Sequence, residues 1–247
     1  VLFRSTGDFG ESYRYEGISV SSLLSDRLPV TVLLSVIALV IILVCSVPLG
    51  IASARHAGEW GDIVTNQLTQ IIMAIPPFFL GMILTYVFGL ILHLFQPGKF
   101  IQPSENLGEA VKYLFFPALA IALPKIAMVV KFLRNSVISE MNKDYVRTAF
   151  SKGNTRTGVL YSHILKNALI PVITFFALVI AEILAGSIIV EQVFSVPGIG
   201  RLLISSISNR DYPVVQAIVL YITAVVVIIN FIVDVLYQFL DPRVKTS

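Results

Sequence analysis

Charge is scarce in this chain. Lys, Arg, Asp and Glu make up 13% of its 247 residues, against 56% that are hydrophobic, and a soluble domain of this length needs far more charge to cover its surface. There is one cysteine, Cys45, which excludes an intrachain disulfide and cannot by itself build a metal site. It lies inside an apolar run and reads as a small packing residue. The three histidines, His56, His93 and His163, are far apart and share no metal-ligand spacing, so nothing points to a bound metal. No glycine-rich loop ending in Lys-Ser or Lys-Thr occurs, which argues against nucleotide binding of that kind. No Ser–His–Asp set or pair of carboxylates can be assigned from spacing. The net charge of +3 is too small to imply nucleic acid. An initiator methionine and a secretory signal are also missing from the start, so the sequence reads as a fragment or a product without its beginning.

What is present is apolar sequence in blocks of bilayer-spanning length rather than at amphipathic spacing. Residues 1–27 are mixed and polar and read as an external N-terminal segment. Blocks follow at Leu28–Ala54, about Ile63–Phe95, about Tyr113–Val137, Ala168–Phe194 and Pro213–Leu240. Pro76-Pro77 falls near the middle of the second block, and Pro124-Lys125 interrupts the third. Between them lie a short polar link over 55–62, a Pro/Gly/Lys/Glu loop over 96–112, a polar stretch over 138–167 and a loop over 195–212. The expected fold is all-α: a polytopic transmembrane bundle with five spans, a transmembrane domain over 28–243 and a short tail over 244–247.

Five spans put the chain ends on opposite faces. Lys143, Arg147, Lys152, Arg156 and Lys166 concentrate in the 138–167 loop, and the positive-inside rule places that loop and the C-terminus in the cytoplasm. An external N-terminus without a signal fits a chain that lacks a preceding helix.

Within that loop, Asp144-Tyr-Val-Arg-Thr-Ala-Phe-Ser-Lys-Gly153 predicts a short helix over Asp144–Lys152, with an acid at its start, a basic residue at its end and Gly153 placed to terminate it in the left-handed conformation. Asn154 or Thr155 is placed to cap a second helix. Such an elbow at the membrane surface can either dock in a groove on a soluble partner or serve as a solvated connector.

Two ionisable residues fall near span centres by counting, Lys125 and Glu182. A charge there costs about 2.5–3.5 kcal/mol on insertion scales, so each needs a partner or water. Opposite sign and similar depth predict either a structural ion pair or a pair lining the translocation path. Asp234, four residues after Asn230, predicts a polar seam to another helix. Glu191 with Pro197, Gly198 and Gly200 predicts a tight turn at the outer face, acting as a gate, a dock or a plain connector.

The carboxyl-terminal third carries a resemblance. Gly186-Ser-Ile-Ile-Val-Glu-Gln-Val-Phe-Ser-Val-Pro-Gly-Ile-Gly-Arg-Leu-Leu203, Asn209-Arg-Asp-Tyr-Pro213, Asn230-Phe-Ile-Val-Asp-Val-Leu-Tyr237 and Leu240-Asp-Pro-Arg243 closely resemble the oligopeptide/dipeptide/nickel branch of binding-protein-dependent ABC transporter permeases, of the first-permease type. Arg27-Leu-Pro-Val-Thr31 and Pro48-Leu-Gly50 do so too. The elbow is similar to the coupling motif of that family, Glu-Ala-Ala, three residues, Gly, nine residues, Ile-any-Leu-Pro. Ala149 matches the second Ala, Gly153 the Gly and Leu165 the Leu. Arg147 stands for Glu, Thr148 for the first Ala, His163 for Ile and Lys166 for Pro.

The resemblance implies a permease subunit of an ATP-driven importer in a bacterial or archaeal inner membrane, with Asp144, Arg147, Ala149, Gly153 and Leu165 in its coupling region. It implies a second permease in a heterodimer, two cytoplasmic ATPase subunits that bind the ATP and Mg, and an external binding protein that delivers peptide. It implies no cofactor on this chain, no catalytic residue, and an additional N-terminal helix. Nickel or glutathione are the alternative cargoes. An ion-coupled secondary transporter is the rival class, to which Lys125, Glu182 and Asp234 would belong; a membrane-embedded enzyme would need titratable groups converging at one depth.

Overall fold

The computed structural model describes residues 9–96 and 98–240, with side chains described except at 184–186, 233, 234 and 236–240. The side chain of Asp234 and the tail over 244–247 therefore lie outside the described residues. In chain order the helices are α1 (Val20–Arg55), α2 (Trp60–Ala74), α3 (Pro77–Leu84, continued by a π-helical segment Thr85–Ile91), α4 (Leu107–Met141), α5 (Asp144–Ser151), α6 (Arg156–Val159, continued by a π-helical segment Leu160–Ile164), α7 (Leu165–Val193), α8 (Ile199–Ser208) and α9 (Tyr212–Leu240). Strand structure among the described residues is limited to one isolated bridge, Glu11 to Ser19.

Four stretches are long and apolar enough to cross a bilayer: Val20–Arg55, Leu107–Met141, Arg156–Ile183 and Tyr212–Ile232. The second apolar block is not one straight span. α2 and α3 qualify only together and meet at a bend of 97°. The prolines explain it. Pro76 disfavours helical geometry at Ile75 and Pro77 disfavours it at Pro76, and both residues are extended, with ψ of 123° and 143°. Pro77 then opens α3, where its missing N–H and fixed φ are no handicap.

Pro124 behaves differently. α4 runs through it, and through Pro117, unbroken from Leu107 to Met141, because a proline without a second one beside it removes one hydrogen bond without forcing two successive extended residues. The loop expected over 195–212 also contains a helix, α8. Its buried residues Ile199, Leu202 and Ser206 recur at helical spacing on one face.

Polar side chains cap the starts of α1 and α4. Ser19 Oγ accepts from the Ser22 N–H at 3.3 Å ahead of α1, and Asn106 Oδ1 accepts from the Glu109 N–H at 3.1 Å ahead of α4. Each satisfies one of the backbone donors that a helix start leaves open.

The chain forms two compact units. The described residues of Val1–Ile41, Pro76–Ala122 and Ala181–Ile228 form the first; those of Ile42–Ile75, Leu123–Ile180 and Ile229–Ser247 form the second. In the first, Val20, Leu23, Ile199, Leu202, Val214, Ala217 and Ile218 make a buried cluster. The same unit holds an aromatic group: Phe95 stacks on Phe116 at 4.8 Å and meets Tyr113 edge-on at 6.0 Å. In the second unit a continuous core joins Ala54, Leu133 and Val137 to Val146, Ala149, Val159, Leu160, Ile164, Leu165 and Ala168.

Candidate functional site

The α5–α6 elbow grows out of the core of the second unit. α5 turns Val146 and Ala149 inward and leaves Asp144, Arg147, Thr148, Phe150 and Ser151 exposed. Its end is closed by three bonds. The Lys152 N–H donates to Thr148 O at 3.2 Å, the Gly153 N–H to Phe150 O at 2.9 Å, and Asn154 Nδ2 to Ala149 O at 3.0 Å. Gly153 has a φ of +81° with open space where a Cβ would stand, so the backbone conformation, not crowding, calls for glycine. Thr155 Oγ1 then accepts from the Gly158 N–H at 3.2 Å and starts α6. From there Val159, Leu160 and Ile164 return the chain to the core.

At the entry to α5, the Tyr145 hydroxyl donates to Glu140 Oε2 at 2.7 Å, and Lys143 Nζ lies 2.5 Å from Glu140 Oε1. Burial raises the Tyr145 hydroxyl above the usual tyrosine range, against a lowering hydrogen bond to Asn167, and the neighbouring Glu140 carboxylate pushes the same way as burial. The phenol thus keeps its proton as a donor at neutral pH.

Of the five residues expected in the coupling region, Asp144, Arg147 and Gly153 are on the surface. Ala149 and Leu165 are each 6% exposed and belong to the core. They hold the elbow rather than present it. Two exposed aromatics that the spacing did not single out, Phe150 and Tyr161, stand on the same segment as Arg147. The alternation of buried Val146 and Ala149 with exposed neighbours is the signal that finds Phe150.

The residues of the expected outer turn do converge in the first unit, with Glu191, Gly198 and Gly200 buried and Pro197 half-buried. Glu191 on α7 has no exposed surface. Thr31 Oγ1 donates to Glu191 Oε1 at 2.7 Å and accepts from the Ile199 N–H at 2.8 Å; the Arg201 N–H donates to Glu191 Oε2 at 3.1 Å. The carboxylate and the threonine therefore cap the first turn of α8, where a negative group is favoured. A Cβ on Gly198 would run into the Glu191 carboxylate, and one on Gly200 into the backbone of Ile188. Pro197 sits in the turn between, and its carbonyl accepts from Arg27 Nη1 at 3.4 Å. Tyr113 fastens the other side, its hydroxyl donating to Phe194 O at 2.6 Å.

Lys125 is half-buried on α4 in the second unit, and Glu182 is exposed on α7 in the first. Two polar clusters lay beyond the reach of sequence spacing. In the second unit Arg134 clamps Asp62 with both arms of its guanidinium, Nε to Oδ1 at 2.5 Å and Nη2 to Oδ2 at 2.6 Å. Ser53 Oγ and the Gly58 N–H complete the carboxylate shell at 2.5 and 2.8 Å. This bolts the first turn of α2 to α4. In the first unit the buried Asp211 accepts from Ser12 Oγ and from the Tyr13 N–H, the latter at 3.2 Å. Arg134 is 72 residues from Asp62 and Ser12 is 199 from Asp211, so no local pattern marks either pairing. Among the described residues no group of three His, Cys, Asp or Glu could hold a metal ion.

Residues 46–246 match the family model described as the binding-protein-dependent transport system inner membrane component. The chain belongs to that family. It is 37% identical over 241 residues to the oligopeptide transport system permease protein AppB of Bacillus subtilis, covering 97% of this chain and 76% of the relative. It is 32% identical over 240 residues to the dipeptide transport system permease protein DppB of the same organism, covering 97% and 75%. A permease of this family is a multi-pass membrane protein and a transport subunit, which agrees with the helical spans. The matched range includes the elbow, α7, α8 and α9.

Proposed function

We propose that this chain is a permease subunit of an ATP-driven importer that takes up peptides handed over by an external binding protein. The observation that carries the reading is the elbow: a surface helix pair with exposed Arg147, Phe150 and Tyr161, anchored by Val146, Ala149, Val159 and Leu160 in the core of its unit. A solvated connector needs no such anchorage. A segment that receives a push from a soluble ATPase does, because force applied to a rigidly packed element moves the helices packed with it.

In this reading the elbow faces the cytoplasm, as its exposed Lys143, Arg147, Lys152, Arg156 and Lys166 favour, and the C-terminus lies on the same side. Closure of two ATPase subunits around ATP shifts α5 and α6, and the spans follow to open the path outward. The peptide cargo is supported by the oligopeptide and dipeptide relatives. A second, similar permease completes the path.

The test is mass spectrometry of what co-purifies with the tagged full-length protein from its native membrane, followed by uptake of labelled peptides into proteoliposomes. The expected result is a second permease, ATPase subunits and a binding protein, with uptake that needs ATP and survives collapse of the proton gradient. Recovery of the chain alone, with uptake driven by the proton gradient, overturns the reading.

A further inference from the structure

The first unit has a cleft of about 330 Å³ lined by Arg14, Tyr15, Arg27, Gly198, Arg201, Leu202 and Ser205. Three separate segments build it: the stretch before α1, the second turn of α1 and the start of α8. Three guanidinium groups converge there, and among the described residues none lies within salt-bridge distance of a carboxylate. Glu11, Glu16 and Asp26 are exposed on the same stretches, yet none closes on an arginine. Glu191 and Asp211, equally near in sequence to Arg201, are both fully buried and committed elsewhere, Glu191 to Thr31 and the Arg201 N–H, Asp211 to Ser12 and the Tyr13 N–H.

The arginines are held in place by neutral groups. Arg201 Nη1 donates to Ser195 O at 2.7 Å and Arg27 Nη1 to Pro197 O at 3.4 Å. Arg14 lies over its own neighbour, the Tyr15 ring, at 5.4 Å. Each of the first two uses one nitrogen on a backbone carbonyl and keeps further N–H groups for another acceptor. Both are half-buried, so part of their hydration is already lost without a counter-ion to replace it. A guanidinium offers parallel N–H donors matched to a carboxylate.

We propose that this cleft is where an acidic side chain of the external binding protein docks, which rests on the importer reading above. Arg14 and Tyr15 precede the apolar run of α1, so the cleft opens from a polar segment toward water, where a soluble partner arrives. Positive charge that no carboxylate among the described residues pairs favours encounter with a negative surface and sets its orientation.

The full complex in nanodiscs tests this through ATPase stimulation by increasing amounts of peptide-loaded binding protein. Arg14→Gln is the cleanest variant, because the Arg14 side chain holds no loop carbonyl. It is expected to raise the half-saturating binding-protein concentration about two- to fivefold at low salt, with unchanged maximal rate, and to flatten the salt dependence. Arg14→Glu is expected to exceed Arg14→Gln. Half-saturation and salt dependence unaltered by Arg14→Gln and Arg14→Glu overturn the proposal. So does an effect that tracks the anionic lipid content of the nanodisc and not the binding protein, which reassigns the cleft to lipid phosphate. An unaltered complex that no binding protein stimulates overturns the importer reading itself.

Discussion

Gly198 and Gly200 both press against α7, one on the Glu191 carboxylate and the other on the Ile188 backbone. The two contacts differ in how far they can yield. Gly200→Ala meets main chain and is expected to cost about 1–3 kcal/mol, the range for overpacking an unyielding site, seen as a lower melting temperature in detergent. Gly198→Ala displaces a carboxylate held by Thr31 and by the start of α8 and is expected to be at least as severe. In the second unit, Arg134→Leu leaves Asp62 buried without its clamp and is expected to destabilise by about 3–5 kcal/mol. Adding Asp62→Asn should recover part of that loss, and thermal unfolding of the single and double variants measures it. Glu191 was visible in the sequence as a charge in an apolar setting, but its role was not. Its partner Thr31 is 160 residues away, and no periodicity rule reaches that far. The count of residues from the block edge put Glu191 near an outer turn, and the fold buries its carboxylate under the start of α8.

Among the elements, the elbow was the most legible. An acid, an amphipathic turn, a glycine and a capping threonine are local signals, and each has a local structural cause in α5, Gly153 and Thr155. What spacing left open was which side of α5 would be buried, since eight residues give too few turns to fix a face without the core they meet. Substitution at the bend separates backbone from side-chain effects. Gly153→Asn is expected to preserve transport, since Asn tolerates the left-handed region, whereas Gly153→Val is expected to cost about 1–2 kcal/mol there. Gly153→Pro cannot adopt a φ of +81° at all and is expected to uncouple ATP hydrolysis from uptake while the protein still inserts. Normal ATP-dependent uptake by the Pro variant would remove the coupling role. The tandem prolines and the single one show the limit of reading breaks from sequence. Pro76-Pro77 and Pro124 look alike as interruptions, yet only the pair makes two successive residues extended.

At the scale of the molecule, hydropathy was sufficient for the class, because a bilayer demands long apolar stretches whatever the packing. It was insufficient for the count, because α2 and α3 together are long enough for one span but turn through 97°. Orientation rests on the charge of the 138–167 segment, and it can be checked directly. With Cys45 replaced by Ala, Ser151→Cys is expected to react with a membrane-impermeant thiol reagent only from the cytoplasmic side, and Ser208→Cys only from the outside. Both residues are exposed and belong to segments separated by α7. Labelling of both from one side would mean that α7 does not cross the membrane.

The way α5 is built has a bearing on how such transporters diversify. Its footing, Val146 and Ala149, and its outward surface, Arg147, Phe150 and Lys152, share no position. Changes in the outward set leave the foundation untouched, so on the proposed importer reading recognition of one motor rather than another can drift while the scaffold stands still. A handful of surface exchanges should then be enough to re-address the subunit to a foreign ATPase, with the membrane part left as it is.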